Sequence, residues 1–424
     1  MNSLIKNETK KVVLIIIAII FTLATILYTV IKPIREQQKN NTETIRTDTK
    51  HLYTLEKEPL LSAKHCIVTE YESGRILYEK NAFRKSAMAS TTKIMTALIV
   101  LENCKLTEIT TVSSYAASID GSEIELKSGE NISVEHLLYG LMLESGNDAA
   151  TALAEHTAGS VDDFCVLMND KAEQIGANET NFTSPHGLDD DEHYTTAYDL
   201  ALITKEALKN DTFRQIIGTK HFTAGKRHFT NTNAFLGNVE GVDGGKTGFT
   251  NNAGRCIVLT SEREGMRIIT VLFGCPDNLN RTIDGKKVID FIYKNYKVYN
   301  LFEKFTKLGT LDIKKSKTPP SDVIITENIR LPLTQNEYSN LTCKTEVVGK
   351  IFETNVNSPE ESTFNAFTGK NSPKNSICGR LTINIEDEIL YQTDIIHTSK
   401  IAEKTFADYL TEILKRYAFL LKFK

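Results

Sequence analysis

A serine and a lysine stand three positions apart at the start of an apolar run, where a helix would bring their side chains together. Residues 89–96 read Ala-Ser-Thr-Thr-Lys-Ile-Met-Thr, and apolar residues continue to position 101. The run predicts a helix, on which Ser90 and Lys93 share one face and can touch. A serine becomes nucleophilic when a base accepts its proton, and a lysine shielded from water can serve as that base. Chance alone places Ser-x-x-Lys in most chains of this size, so the rest of a site has to come from elsewhere in the sequence.

Length, charge and residue spacing limit the kinds of function. With 424 residues, the chain has room for about two or three domains. A net charge of −4 and the lack of a long basic stripe argue against nucleic acid as a partner. The nine histidines show no H-E-x-x-H spacing, and the seven cysteines form no C-x-x-C pair. The sequence therefore predicts no metal and no other cofactor.

The first 58 residues predict a membrane attachment and a tether. Residues 12–31 carry no charge over 20 positions, which as a helix matches the roughly 30 Å hydrocarbon core of a bilayer. A cleaved signal peptide would have a shorter apolar core and an A-x-A-like site, and no such site follows. Residues 1–32 are therefore interpreted as a membrane anchor or signal segment, with the anchor favoured, and residues 33–58 as a polar tether.

The remaining sequence predicts an α+β domain at 59–300, an all-β domain at 301–400 and an amphipathic helix at 401–424. The first domain combines strand pairs at 65–78 and 254–274 with helices at 136–144, 149–156, 161–175, 196–208 and 284–296. Short runs of β-branched residues between turns are typical of the second domain. The terminal helix has an apolar face and a basic rim, which fits either a membrane surface or packing on its own domain.

Two further motifs carry side chains suited to catalysis or binding. Ser145-Gly146-Asn147 follows an apolar helix and offers a hydroxyl and an amide, although Gly and Asn are also usual at the C-terminal end of a helix. Lys246-Thr247-Gly248 precedes the 254–274 hairpin. A cation and a hydroxyl there could bind a carboxylate, and Gly248 would let a ligand approach the strand. Taken alone, each motif is better explained as a turn or a cap.

In combination, the three motifs resemble one enzyme family. S-x-x-K, S-x-N and K-T-G occur in the order found in penicillin-binding proteins and serine β-lactamases. The segments 89–102, 141–150, 182–188, 193–197 and 243–250 resemble the serine D-Ala-D-Ala carboxypeptidases, which are the low-molecular-mass penicillin-binding proteins. The resemblance implies a penicillin-binding-protein/β-lactamase-like fold, with an antiparallel sheet flanked by helices and a small all-β domain after it.

The resemblance also implies a role for each motif residue. Ser90 would attack the carbonyl between the two D-alanines, Lys93 would accept its proton, and Ser145 would relay a proton to the leaving amine. Asn147 would bind the substrate amide. The remaining substrate-binding residues are those that would hold the terminal carboxylate or the oxyanion: Lys246, Thr247, Gly248, Phe249 and Arg281. Some family members have histidine where this chain has Phe249, but only the backbone N–H is needed there.

The implied substrate is a peptidoglycan stem peptide ending in D-Ala-D-Ala, with β-lactams as covalent inhibitors, on the extracytoplasmic side of a bacterial cell membrane. Endopeptidase cleavage of peptidoglycan cross-links is an alternative, because one site could cut either bond. A serine β-lactamase would need a glutamate near positions 182–194, where Glu192 is a weak candidate. A non-catalytic protein that binds peptidoglycan is the alternative outside enzymology.

Overall fold

The computed structural model of the chain describes residues 58–313, 315–347, 350–354, 362–366 and 373–421. The predicted anchor (1–32) and all but the last residue of the predicted tether (33–58) lie outside these ranges. No helix among the described residues is long and apolar enough to cross a bilayer.

Strands and helices alternate irregularly through the first part of the described chain. Its strands are β1 (His65–Glu70), β2 (Ile76–Lys80), β3 (Ile109–Thr111), β4 (Asn131–Ser133), β5 (His221–Ala224), β6 (Arg227–Thr230), β7 (Val242–Thr250), β8 (Gly254–Arg263) and β9 (Met266–Cys275). Its helices are α1 (Lys93–Asn103), α2 (Val134–Tyr139), α3 (Asn147–Ala158), α4 (Val161–Ile175), α5 (Ala197–Ala207), α6 (Asp211–Gly218) and α7 (Asn278–Asn295). This mixture confirms the predicted α+β class.

A five-stranded antiparallel sheet, in the order β2-β1-β9-β8-β7, separates two apolar cores. Alternate strand residues point to opposite faces. Ile67 therefore lies in the core with the helices α1 to α6, whereas its neighbour Val68 lies in the core with α7. Strand β7, which carries Lys246-Thr247-Gly248, lies at the edge of this sheet. Among the described strands, β7 thus has a neighbour on one side only.

Helix α1 runs through the first core. Every residue from Lys93 to Val100 is buried, which is typical of a central helix that is covered on all sides. The sequence predicted that Ser90 lies on this helix. In the structure it lies instead in the 3-10 turn Ala89–Thr92 that precedes the helix. The predicted helix at 136–144 is also divided, because α2 continues as a π-helical turn, Gly140–Glu144.

The C-terminal part is built almost wholly of strands, as predicted. They are β10 (Tyr296–Phe302), β11 (Lys307–Ile313), β12 (Ser321–Ile325), β13 (Ile329–Thr334), β14 (Leu341–Val347), β15 (Lys350–Thr354), β16 (Ser362–Ala366), β17 (Ser376–Ile385) and β18 (Glu388–His397). Seven of them form one sheet in the order β15-β14-β17-β18-β12-β11-β16. A short helix, α8 (Gln335–Ser339), follows β13, and α9 (Phe406–Leu421) ends the described chain.

The C-terminal strands have their own apolar core, which runs from Leu301 to Ile401. They nevertheless belong to the same compact unit as the first part of the described chain, Tyr53–Lys424. The domain boundary at residue 300 therefore stays a prediction.

Candidate active site

Ser90 is held in a strained turn immediately before α1. Ala89 has a φ of +49°, which is unfavourable for a residue with a Cβ atom. Two hydroxyl groups fix the turn: Thr91 Oγ1 donates to Met88 O at 2.6 Å, and Thr92 Oγ1 donates to Ala89 O at 2.8 Å. Ser90 itself stays partly exposed. Backbone strain at this position is consistent with a functional constraint on Ser90.

Lys93, the first residue of α1, is fully buried beside Ser90. Its Nζ lies 2.9 Å from Ser90 Oγ, 2.7 Å from Asn147 Oδ1 and 2.8 Å from His186 O. Burial, together with the positive charge of Lys246, holds the pKa of Lys93 well below its usual value, although Asp148 acts in the opposite direction. The amine is therefore readily neutral, and a neutral amine can accept the proton of Ser90.

Ser145 and Asn147 approach the same place from the loop between the π-helical turn and α3. Ser145 adopts the left-handed conformation, and its buried Oγ has no hydrogen-bond partner among the described residues. Asn147 accepts from Lys93 and donates through Nδ2 to Asp120 O at 2.8 Å. Its second Nδ2–H and the second lone pair of Oδ1 are left for a ligand, so Asn147 can both orient Lys93 and offer a binding group.

Asp148, which the sequence motifs did not single out, fixes the loop that faces Asn147. Its buried carboxylate accepts from the backbone N–H groups of Ile124 and Leu126, each at 3.0 Å. It also accepts from the N–H of Ala149 in the first turn of α3, at 2.8 Å, where a negative charge is favoured by the helix dipole. The same loop supplies the Asp120 carbonyl that holds the Asn147 amide.

The edge strand β7 brings Lys246, Thr247 and Gly248 against the Ser90 turn. Lys246 is buried, with its Nζ 3.0 Å from Thr247 O, and burial followed by the charge of Arg281 lowers its pKa to about 7. Thr247 Oγ1 lies 2.8 Å from the hydroxyl of Thr232. A Cβ atom at position 248 would lie 3.1 Å from the backbone nitrogen of Ser90. Glycine there allows the strand and the turn to pack this closely.

Two arginines extend the positive region beyond Lys246. The guanidinium of Arg255 lies over the half-exposed ring of Phe249, 3.7 Å from its centroid. Arg281 has a buried Nε without a hydrogen-bond partner among the described residues. Burial and the nearby Arg255 lower the pKa of Arg281. A carboxylate would relieve the electrostatic repulsion among these cations and provide the missing acceptor.

The loop at 182–195 closes over the Ser90 turn from the other side. Thr183 N–H donates to His193 Nδ1 at 3.0 Å, so Nε2 carries the proton and donates to Thr92 Oγ1 at 2.8 Å. Pro185 O accepts from Thr96 Oγ1 at 2.6 Å. A Cβ atom at Gly187 would lie 2.1 Å from Ala89 O. The family resemblance covers this segment, but the sequence motifs assign no role to His193. Its side chain positions the turn that carries Ser90.

Glu192, the weak candidate for a β-lactamase glutamate, lies on the exposed side of this loop. Its backbone is held there, because its N–H donates to Asp190 Oδ1 at 2.8 Å and its carbonyl accepts from Asn181 Nδ2 at 2.6 Å. None of its hydrogen bonds that the structure describes involves Ser90, Lys93 or Ser145. The structure therefore does not favour the β-lactamase alternative.

The fold and the arrangement around Ser90 are those of a serine acyl-transfer enzyme: a nucleophile, a buried amine within hydrogen-bond distance and an edge strand with a buried cation. The comparison with known proteins specifies the class. Residues 53–277 match the D-alanyl-D-alanine carboxypeptidase family. The chain belongs to this family of serine peptidases.

Individual relatives agree with the assignment. The D-alanyl-D-alanine carboxypeptidase DacF of Bacillus subtilis is 34% identical over 288 residues, which cover 66% of this chain and 74% of that protein. Penicillin-binding protein 5 of Haemophilus influenzae superposes with a TM-score of 0.71 at 26% identity, covering 82% of this chain and 99% of the other. A mutant of the Streptomyces K15 DD-transpeptidase is 33% identical and superposes with a TM-score of 0.53. The match covers 55% of this chain and 98% of the transpeptidase.

Proposed function

We propose that this chain removes the terminal D-alanine from peptidoglycan stem peptides through an acyl-enzyme on Ser90. The observation that carries the proposal is the 2.9 Å contact between Ser90 Oγ and the buried Nζ of Lys93. It is supported by membership of the D-alanyl-D-alanine carboxypeptidase family. β-Lactams would react with the same serine, because they present a reactive carbonyl together with a carboxylate.

Acylation requires a base, an oxyanion site and an acid. Lys93, whose pKa burial holds well below its usual value, accepts the Ser90 proton as Oγ attacks the carbonyl carbon between the two D-alanines. The backbone N–H groups of Ser90 and Phe249 stabilise the oxyanion, at about 3 kcal/mol for each donor. The C–N bond then breaks, and the unpaired hydroxyl of Ser145 relays a proton to the departing amine.

The substrate's free carboxylate is bound by the positive region next to β7. Lys246, Thr247 and Arg281 would contact it, and Arg281 Nε, which has no partner among the described residues, would provide one donor. Edge strands bind extended peptides by adding a strand to the sheet, and β7 is an edge strand of the sheet that the described residues form. Substrates without a terminal carboxylate should therefore react poorly.

Hydrolysis of the acyl-enzyme by water completes a carboxypeptidase cycle. An amine in place of water would give transpeptidation, and the similarity to the Streptomyces K15 DD-transpeptidase makes this the specific competing reaction. Cleavage of cross-links by the same site would give an endopeptidase. All three reactions use the same acyl-enzyme and differ in the leaving or the accepting amine.

The decisive experiment combines a labelled penicillin with a D-Ala-D-Ala peptide. Wild type should form a stable covalent label and release D-alanine, and Ser90→Ala should lose both. Ser118→Ala, at a more peripheral serine in the 3-10 turn Ala116–Ser118, is the matched control and should keep both. A folded wild type that takes no label would refute the catalytic proposal. Rapid penicillin turnover would identify a β-lactamase, and incorporation of a supplied D-amino acid would identify a transpeptidase.

We further infer that the enzyme works at the outer face of a bacterial cell membrane and that α9 contacts the lipid surface. The apolar side chains of α9 are exposed, among them Phe406 at 83%, Ile413 at 52% and Leu414 at 60%. Thr405 and Asp408 cap the start of the helix, and Lys317 lies 3.5 Å from Asp408. The C-terminal strands would then space the active site from the membrane.

A vesicle-binding assay tests the role of α9 separately from the anchor predicted at residues 1–32. A chain that lacks residues 1–32 should sediment with anionic phospholipid vesicles, and the double change Ile413→Glu and Leu414→Glu should abolish sedimentation. Glu412→Gln, on the same helix, should not weaken binding. Equal sedimentation of the double variant and the parent would refute the contact.

A further inference from the structure

Three metal-ligating side chains meet away from the residues that the proposed mechanism uses. Cys104 Sγ, a Glu108 carboxylate oxygen and a ring nitrogen of His156 all lie within 4.8 Å of one another. His156 Nε2 is 3.0 Å from Glu108 Oε2, and Cys104 Sγ is 3.4 Å from the hydroxyl of Thr157. All three residues are partly buried, so an ion could reach them and still be shielded on one side.

The local backbone favours a cation at this place. Cys104 caps the C-terminal end of α1, and His156 lies in the last turn of α3, which packs on α1. The C-terminal end of a helix carries partial negative charge from its unpaired carbonyl groups. Two such ends therefore meet at this cluster. Glu108 is pre-oriented, because its other oxygen accepts from the backbone N–H of Lys105 at 2.9 Å.

We propose that Cys104, Glu108 and His156 form a Zn²⁺ site with an open fourth position for water. Thiolate, imidazole and carboxylate are the usual zinc ligands, at about 2.0–2.3 Å from the ion. Ligand atoms around a tetrahedral ion of that size are roughly 3.3–3.8 Å apart, so the cluster needs only small side-chain movements. On binding, Cys104 loses its thiol proton to solvent, and His156 moves its proton to Nδ1 so that Nε2 donates its electron pair to the ion.

The site would join the two helices that carry the active-site residues. Lys93 is the first residue of α1 and Asn147 the first residue of α3, whereas Cys104 and His156 lie at or near the opposite ends. A metal at those ends would fix the spacing of α1 and α3 without contacting the substrate. Its role is therefore stabilisation of the helix pair and not chemistry at Ser90.

Cobalt gives a direct test, because a thiolate bound to Co²⁺ produces a ligand-to-metal absorption band in the near ultraviolet. The purified full chain, freed of metal with a chelator, should develop this band on titration with Co²⁺, and one equivalent of Zn²⁺ should remove it. Cys104→Ser should abolish the band. Cys378→Ser, at the other partly buried cysteine, should leave it unchanged. Absence of the band in wild type, or its persistence in Cys104→Ser, would overturn the proposal.

Thermal unfolding gives a second measurement. Free Zn²⁺ at about a hundredfold above its Kd should raise the Tm of wild type by roughly 5 °C. His156→Asn should lose this shift and should melt like wild type when a chelator is present, which shows that the variant is folded. An equal Zn²⁺-dependent shift in His156→Asn and wild type would contradict a site at His156.

Discussion

Lys246 is a buried cation and Arg281 a partly buried one, and their mutual repulsion has a kinetic consequence. Burial first, and Arg281 second, lower the pKa of Lys246 to about 7. In the proposed mechanism the charged form of Lys246 would bind the substrate carboxylate, so this interaction would be lost as the pH rises through about 7. Lys93 would have the opposite requirement, because its neutral form would accept the Ser90 proton. The two lysines together predict a bell-shaped pH profile of kcat/KM.

Arg281→Gln should change both the position and the height of this profile. Without the charge of Arg281, the pKa of Lys246 rises, so the falling limb should move to higher pH. KM for a D-Ala-D-Ala peptide should rise by roughly tenfold or more, because one charged partner of the carboxylate is lost. Arg84→Gln, at an exposed arginine, serves as the control and should leave both quantities unchanged. Steady-state kinetics over a range of pH measure them, and a falling limb that stays in place would contradict the coupling.

Individual site residues could be predicted from the sequence where they belong to a short motif. Ser90, Lys93 and Asn147 stand in two motifs, and the structure joins them through hydrogen bonds of Lys93. Asp148 was missed because its partners, Ile124 and Leu126, lie more than 20 residues away. The positive φ of Ala89 leaves no trace in the sequence either, since glycine, the usual residue for that conformation, is absent there.

Among the larger elements, the loop at 182–195 is held together by a neutral histidine. Burial lowers the pKa of His193 to about 4, from the usual value of about 6.5 in an unfolded chain. The ring bridges Thr183 and Thr92 only while Nδ1 is free to accept. Between pH 6.5 and 4 the unfolded chain takes up a proton at this histidine and the folded chain does not. The stability of the fold should therefore fall as the pH is lowered through this interval.

His193→Gln should make the fold less sensitive to acid. Glutamine retains a donor and an acceptor but does not titrate, so the loss of stability between pH 7 and pH 4 should be smaller by about 3 kcal/mol. Urea unfolding at several pH values measures this difference. His228→Gln, at an exposed position on β6, should show the same acid dependence as wild type. Parallel pH dependences for wild type and His193→Gln would contradict the assigned role.

Elements with strong periodicity were predicted from the sequence close to their observed bounds. Val161–Ile175 is the predicted helix at 161–175, since Ser160 caps its start and Gly176 ends it in a left-handed conformation. Other element boundaries were predicted less accurately. Helix α7 starts at Asn278 and not at residue 284, because Asp277 caps it through the N–H of Asn280. The π-helical turn Gly140–Glu144 likewise has no signature in the local sequence.

At the scale of the molecule, one arginine links the catalytic region to the C-terminal strands. Arg75, in the turn between β1 and β2, donates to Pro332 O at 2.5 Å and to Glu337 Oε2 at 3.2 Å, and it forms an ion pair with Glu337 Oε1. Both side chains are only 12% exposed. Glu337 also accepts from the N–H of Thr334 as part of a capping box for α8. The sequence could not reveal this contact, because its two residues lie 262 positions apart.

Arg75→Ala should weaken the attachment of the C-terminal strands while leaving Ser90 competent. Removing one partner of a largely buried ion pair costs about 3 kcal/mol, because the other charge stays buried. Scanning calorimetry should therefore show a transition at lower temperature than in wild type, whereas penicillin labelling of Ser90 at about 25 °C should be unchanged. Arg330→Ala, at an exposed arginine on β13, is the matched control and should melt like wild type. If Arg75→Ala and Arg330→Ala melt alike, Arg75 does not couple the two regions, and the packing around β10 and β13 alone would have to hold them together.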